Sequence, residues 1–249
     1  MIKSVLLDLD NTLLHNPDLA FAVEYLRLAD SYFQEKWGYS QFSKLLRLSI
    51  PTIQESLNYH QTNHNVLLDL CAKHLNTTQT QIQKALDDFY LNIYPRLQPC
   101  TQPVAGAHEL IAKLRSKNYS IIIATNPIYP AIAVEQRLRW AGISSDFKDF
   151  AFVTHSENMH FAKPTMEYYA EILARVGVEP DEAIMVGDSV KNDITPAQIL
   201  GIHTFWITET EMTETSGSLQ SLCEKVDNGW LETLIHMLLK PTSIKSQLR

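Results

Sequence analysis

Two aspartates spaced two residues apart, Asp8 and Asp10 in Asp-Leu-Asp-Asn-Thr, end one apolar run, and a third, Asp188 in Gly-Asp-Ser-Val-Lys-Asn-Asp, ends another. Thr125 and Asn126 close a further apolar run, and Lys163 precedes Pro164 after yet another. Carboxylates held close together repel, so one pKa rises or a cation is recruited. A hard divalent ion with oxygen ligands, Mg²⁺ above all, answers that repulsion, whereas zinc or copper would want histidine or thiolate, which these stretches lack. A carboxylate beside such an ion is a competent nucleophile toward phosphorus. The cation, Lys163 and the Thr125 hydroxyl would hold the phosphoryl oxygens as charge shifts. A second carboxyl two residues along could protonate the leaving alcohol and then activate water, and the Asn126 N–H, at a strand end before a helix, suits an anion.

These residues can act together only if the chain gathers them. Short apolar runs predict strands at Ser4 to Leu9, Ser120 to Ala124, Ala151 to Thr154, Ala183 to Gly187 and His203 to Ile207. Between them His108 to Lys117, Ile132 to Ala141 and Met166 to Val176 carry apolar residues at helical spacing. Gly142, Gly177 and Gly201 stand where left-handed residues close helices. Strand and helix alternating in this way predict an α/β fold, a parallel sheet covered by helices on both faces. Ligands bind beyond the carboxyl ends of such strands, and every residue named above lies there. More than a hundred residues separate the first two strands, far beyond a crossover. The stretch from about 18 to 95 reads as helical, with stripes Leu19, Ala22, Val23, Leu26, Ala29, Phe33, then Val66, Leu67, Leu70, Leu75, then Ile82, Leu86, Phe89, Ile93. An inserted helical module, left through Pro95, Pro99 and Pro103, is the economical reading.

In order, DLDNT, the strand ending in Thr125, the Lys163-Pro164 step and GDSVKND resemble the four motifs of the haloacid dehalogenase-like hydrolase superfamily. The resemblance covers roughly residues 1–15 and 100–210, and the insertion is similar to that family's helical cap. It implies a Rossmann-like core with an all-helical cap domain, the core being 1–15 and 100–240 and the cap 16–99, while the terminal 241–249 reads as a flexible tail. It implies Asp8 as nucleophile, Asp10 as general acid/base, and Thr125, Asn126 and Lys163 as phosphate binders. Mg²⁺ would be held by the Asp8 carboxylate, the Asp10 backbone carbonyl and Asp188, with Asp193 reaching it through water or a neighbouring ligand. The family's dehalogenases lack a carboxylate at the position of Asp10, whereas its phosphatases and phosphomutases have one. The expected activity is a Mg²⁺-dependent phosphatase acting through an aspartyl-phosphate on a small phosphorylated metabolite. A phosphomutase of the same fold, or a module that binds phosphate and metal without turnover, stays open.

Composition narrows the partners. The 249 residues hold 21 basic and 28 acidic side chains, a net charge of −7, with 45% hydrophobic and 20% charged residues, as in ordinary globular chains. No Lys/Arg-rich run offers a footprint for a nucleic-acid backbone. Cys71, Cys100 and Cys223 form no CxxC pair, so no zinc site or disulfide framework is suggested and a cytoplasmic location is expected. Asp8 and Asp10 interrupt the first apolar run far short of the ~18 residues a membrane span needs. His60 and His64 are four apart, but their Asn- and Gln-rich surroundings read as a solvated turn. His155, Ser156 and His160 could border the site, and the aromatic group Tyr25, Tyr32, Phe33, Trp37 and Tyr39 reads as cap core.

Overall fold

The structure, a computed structural model, describes residues 1–234, the Asp18 side chain excepted. In chain order it comprises β1 (Ser4–Leu7), β2 (Leu14–His15), α1 (Asp18–Trp37), α2 (Phe42–Gln54), α3 (Asn63–Leu75), α4 (Gln79–Asn92), β3 (Gln102–Pro103), α5 (Ala107–Ser116), β4 (Ser120–Ile123), α6 (Ala131–Trp140), β5 (Phe152–Val153), α7 (Met166–Val176), β6 (Ala183–Gly187), α8 (Thr195–Leu200), β7 (His203–Ile207), β8 (Ser216–Gly217), α9 (Leu219–Asp227) and α10 (Trp230–Thr233). A six-stranded sheet runs β5-β4-β1-β6-β7-β8, all pairs parallel. The expected strands are thus present, with β8 added at the edge. The tail 241–249 and the last expected core residues, 235–240, lie outside the described residues.

Continuous apolar strands are needed because both faces are covered. Val5, Leu7, Ile121, Ile123, Ile184 and Val186 pack with Leu110, Leu114, Val134, Leu138, Leu222 and Val226 of α5, α6 and α9. The alternate residues Leu6, Ile122, Ala183 and Met185 pack instead with Tyr168, Tyr169, Ile172 and Leu173 of α7 and Ala197 of α8. Period-two alternation thus sends successive side chains into two different helical layers. Gly177 and Gly201, at φ +67° and +92°, cap α7 and α8 as left-handed residues, and Gly142, at φ +73°, follows α6.

Helices α1 to α4 form the inserted all-helical cap. It is entered and left through one short antiparallel ladder, β2 against β3. The face α1 buries differs from the aliphatic stripe its sequence suggests. Leu19 and Val23 are 79% and 55% exposed, while Phe21, Tyr25, Leu28, Ala29, Tyr32 and Phe33 are buried. The larger aromatic surfaces win the inner face, since each removes more apolar area from water. Phe33 stacks on Phe42 of α2, and Tyr25 meets Phe89 and Tyr94 edge to face. The aromatic group is therefore largely cap core, Trp37 and Tyr39 being half-buried at its margin. His64 is buried, not solvated. It packs at the start of α3, where its N–H donates to the Ser156 carbonyl at 2.8 Å and its Nε2 meets Gln83 Oε1 at 2.6 Å, while His60 is exposed.

Candidate active site

Strand β1 lies between β4 and β6, where the connections diverge to opposite sides of the sheet, the position at which open α/β folds leave a crevice. Asp8 is the first residue beyond β1, and its N–H donates to Val186 O at 2.9 Å. The N–H groups of Leu13 and Leu14 both donate to Leu9 O, folding a tight turn with Asn11 at φ +60°. That turn brings Thr12 back, so its hydroxyl donates to Asp8 Oδ2 at 3.0 Å. Thr125 lies just past β4, its carbonyl accepting from Thr154 Oγ1 at 2.7 Å and the Tyr168 hydroxyl at 2.9 Å. Asn126 Oδ1 is buried without a hydrogen-bond partner. Asp188 follows β6, its carbonyl accepting from Trp206 Nε1 at 2.8 Å.

Asp193 returns to the rim through a single π-helical turn, Val190–Ile194, capped by the Ser189 hydroxyl. Such turns recur at functional sites because the extra residue re-aims a side chain. The Ser189 N–H donates to Asp193 Oδ2 at 3.0 Å. Gly187 permits the approach, since a Cβ there would stand 2.4 Å from Asp193 Oδ2. Lys163, 2% exposed, donates through Nζ to Asp8 Oδ1 at 2.7 Å and Asp193 Oδ1 at 2.6 Å. Burial works against that cation, but Asp193 and Asp8 outweigh it and hold the ammonium well above its usual range. Burial also pushes the Asp8 carboxyl up to about 8, Lys163 opposing while Asp193 and Asp188 add to the rise.

The expected residues Asp8, Asp10, Thr125, Asn126, Lys163, Asp188 and Asp193 line one cavity of about 530 Å³, with Asn16, Phe21, Ile128 and Tyr129 toward the cap. Carboxylate oxygens of Asp8, Asp188 and Asp193 lie within 4.8 Å of one another. Asp193 thus stands among the metal-competent carboxylates themselves. Lys163 bridges Asp8 and Asp193, and these carboxylates with Asp188 form a cluster that could hold a metal ion. An all-oxygen donor set fits Mg²⁺. His155, Ser156 and His160 are not among the residues that line the cavity. Ser156 meets His64, and His160 meets Glu171.

Two residues at this site were missed in the sequence. Arg137, fully buried on α6, pairs through Nη1 with Asp10 Oδ2, and Asn16 Nδ2 donates to Asp10 Oδ1 at 3.0 Å. A signal was present for the first. Arg137 falls three residues after Val134 and one before Leu138, inside the apolar stripe of its helix.

The model of the haloacid dehalogenase-like hydrolases matches residues 2–201, and the chain belongs to that family. The pyrimidine 5'-nucleotidase PynA of Streptococcus pneumoniae is 29% identical over 143 residues, 53% of this chain and 58% of that protein. A glyceraldehyde 3-phosphate phosphatase of Methanopyrus kandleri is 26% identical over 208 residues, 82% of this chain and 83% of that one. The chain spans about half the length of the first curated relatives it matches, 58%, 43% and 47%. In fold it resembles a 2-haloacid dehalogenase of Pseudomonas syringae pv. Tomato DC3000, at a TM-score of 0.62 and 21% identity over 92% of this chain and all of that one.

Proposed function

We propose that the chain is a Mg²⁺-dependent phosphomonoesterase that acts through an aspartyl-phosphate on Asp8, with residues 1–15 and 100–240 as the hydrolase core and 16–99 as the cap. The observation that carries this reading is the meeting of Asp8, Asp10, Thr125, Lys163 and Asp188 on one cavity. Asp10 separates this rim from a dehalogenase, since hydrolysis of a phosphate ester needs a proton donor for the leaving alcohol. The named activities of the two relatives, on a nucleotide and on a triose phosphate, share the small phosphomonoester and differ in the leaving group. A small phosphorylated metabolite is therefore the substrate class. Three free cysteines suit a cytoplasmic location. No helix among the described residues is long and apolar enough to cross a membrane.

In this reading the Lys163 ammonium, the Thr125 hydroxyl and the Asn126 N–H hold the phosphoryl oxygens. A carboxylate oxygen of Asp8 attacks phosphorus while Asp10 gives its proton to the departing alkoxide. Asp10 then takes a proton from the water that attacks the acyl phosphate, releasing phosphate and restoring Asp8. Asp8, Asp188 and the Asp10 carbonyl, with Asp193 alongside, would hold Mg²⁺, which would supply the positive charge that lets an anionic ester sit against an anionic nucleophile. Phe21 of α1 brings the cap to the cavity, where closure over a bound substrate would exclude bulk water.

A phosphate-release screen of phosphorylated metabolites with Mg²⁺ tests the proposal. Turnover is expected to vanish with a chelator and to fall by at least about 10³ in Asp8→Asn, as removal of a covalent nucleophile does. Retained turnover in that variant would falsify the assignment of Asp8. Rearrangement of a sugar phosphate without phosphate release would show a mutase.

A further inference from the structure

Arg137 is among the most deeply buried side chains described, 1% exposed on α6 beside the buried Ala133, Val134, Leu138 and Trp140. Besides its Nη1 contact to Asp10, its Nε donates to Ala133 O at 3.4 Å and its guanidinium lies 4.5 Å from the centroid of the Tyr129 ring. Its Nη2 is buried with no hydrogen-bond partner among the described residues. Folding does not account for this residue. A buried ion pair is commonly no better for stability than a well-packed apolar side chain of similar size, and an unmet buried donor costs about 1–3 kcal/mol. Its salt bridge is with a carboxylate that stays 26% exposed and lines the cavity.

The other oxygen of that carboxylate is held independently. Asn16, 5% exposed, donates from Nδ2 to Asp10 Oδ1, and its own N–H donates to Asn11 Oδ1 at 2.9 Å. Asp10 sits on a tight turn, and with one oxygen held its plane could still swing. With both held it has a single orientation toward the cavity. Proton transfer depends on such alignment, and displacements near 1 Å cost orders of magnitude in rate.

We propose that Arg137 and Asn16 form a two-sided clamp that positions the Asp10 carboxyl for proton transfer, Arg137 from α6 and Asn16 from the entrance to the cap. The proposal rests on Asp10 being the acid/base. Arg137 is not among the residues that line the cavity and Asn16 reaches it beside Asp10; in the proposal both act through Asp10.

The test compares kcat/KM for p-nitrophenyl phosphate, whose leaving group needs no proton, with kcat/KM for glycerol 3-phosphate, whose alkoxide does. Asp10→Asn sets the reference, with a loss on the alkyl ester greater by roughly tenfold or more. Arg137→Met, similar in length and uncharged, and Asn16→Ala are each expected to show the same unequal loss. Asn16→Ala leaves α6 intact, so it carries the test even if Arg137→Met folds poorly. Equal losses on both esters, or none, while Asp10→Asn still discriminates, would overturn the clamp and leave the acid/base role standing. Failure of Asp10→Asn to discriminate would overturn that role and the clamp with it.

Discussion

Lys163 makes the residue-scale logic of the rim visible. One ammonium is shared between Asp8 and Asp193, so it cannot neutralise both; burial lifts the Asp8 pKa first, and the neighbouring carboxylates Asp193 and Asp188 add to the rise. The geometry of that sharing depends on a residue with no side chain. Gly187→Ala would place a methyl 2.4 Å from Asp193 Oδ2, and the contact is with a carboxylate already tied to Lys163 and the Ser189 N–H. We expect a loss of about 1–3 kcal/mol in urea denaturation, the usual cost of overpacking, together with weaker Mg²⁺ binding by calorimetry. A variant with unchanged stability and affinity would show that Asp193 yields freely. Asp8, Asp10, Thr125 and Asp188 were legible because each ends or closely follows an apolar run. For Arg137 the apolar stripe of α6 signals burial, but its pairing with Asp10, 127 residues away, comes only from the fold.

At the scale of elements, the segment before Lys163 is held to α7 largely by Glu171, with Arg175 donating to Asn158 O at 2.7 Å. Glu171 accepts from the His160 N–H at 3.0 Å and the Phe161 N–H at 3.4 Å, meets His160 Nδ1, and pairs with Arg175. Burial works against its charge, but Arg175 and His160 prevail and hold its pKa below the usual carboxylate value. A depressed acid stabilises the fold at pH above its unfolded value, about 4.5, and that contribution fades as pH falls through the folded value. Glu171→Gln is expected to cost about 1–2 kcal/mol near neutral pH, and the gap from the parent should close below pH 4.5. A gap independent of pH in thermal melts would remove the charge from the explanation. The same scale shows where patterning misleads. The helix α1 was evident from its period, but its inner face was not, because neighbouring α4 and the Tyr94 region select Phe21, Tyr25 and Tyr32 over Leu19 and Val23.

For the whole molecule, the cavity is the meeting place of a discontinuous core and its insertion, and an ion bound there stabilises the folded state alone. At a hundredfold excess over Kd such linkage contributes about 2.7 kcal/mol. Mg²⁺ is therefore expected to raise Tm in the parent and to lose most of that effect in Asp188→Asn; an equal rise in both would place the ion elsewhere. The positions of the main strands along the chain, the helical insertion and the acidic rim were all determined by the sequence itself, since apolar runs, helical spacing and the residues at strand ends are local properties of the chain. Tertiary structure alone decided which helix faces are buried, that Asp193 stands beside Asp8 and Asp188, and that Arg137 and Asn16 grip Asp10. Those outcomes depend on burial and on charges brought together from distant segments, which no local pattern encodes.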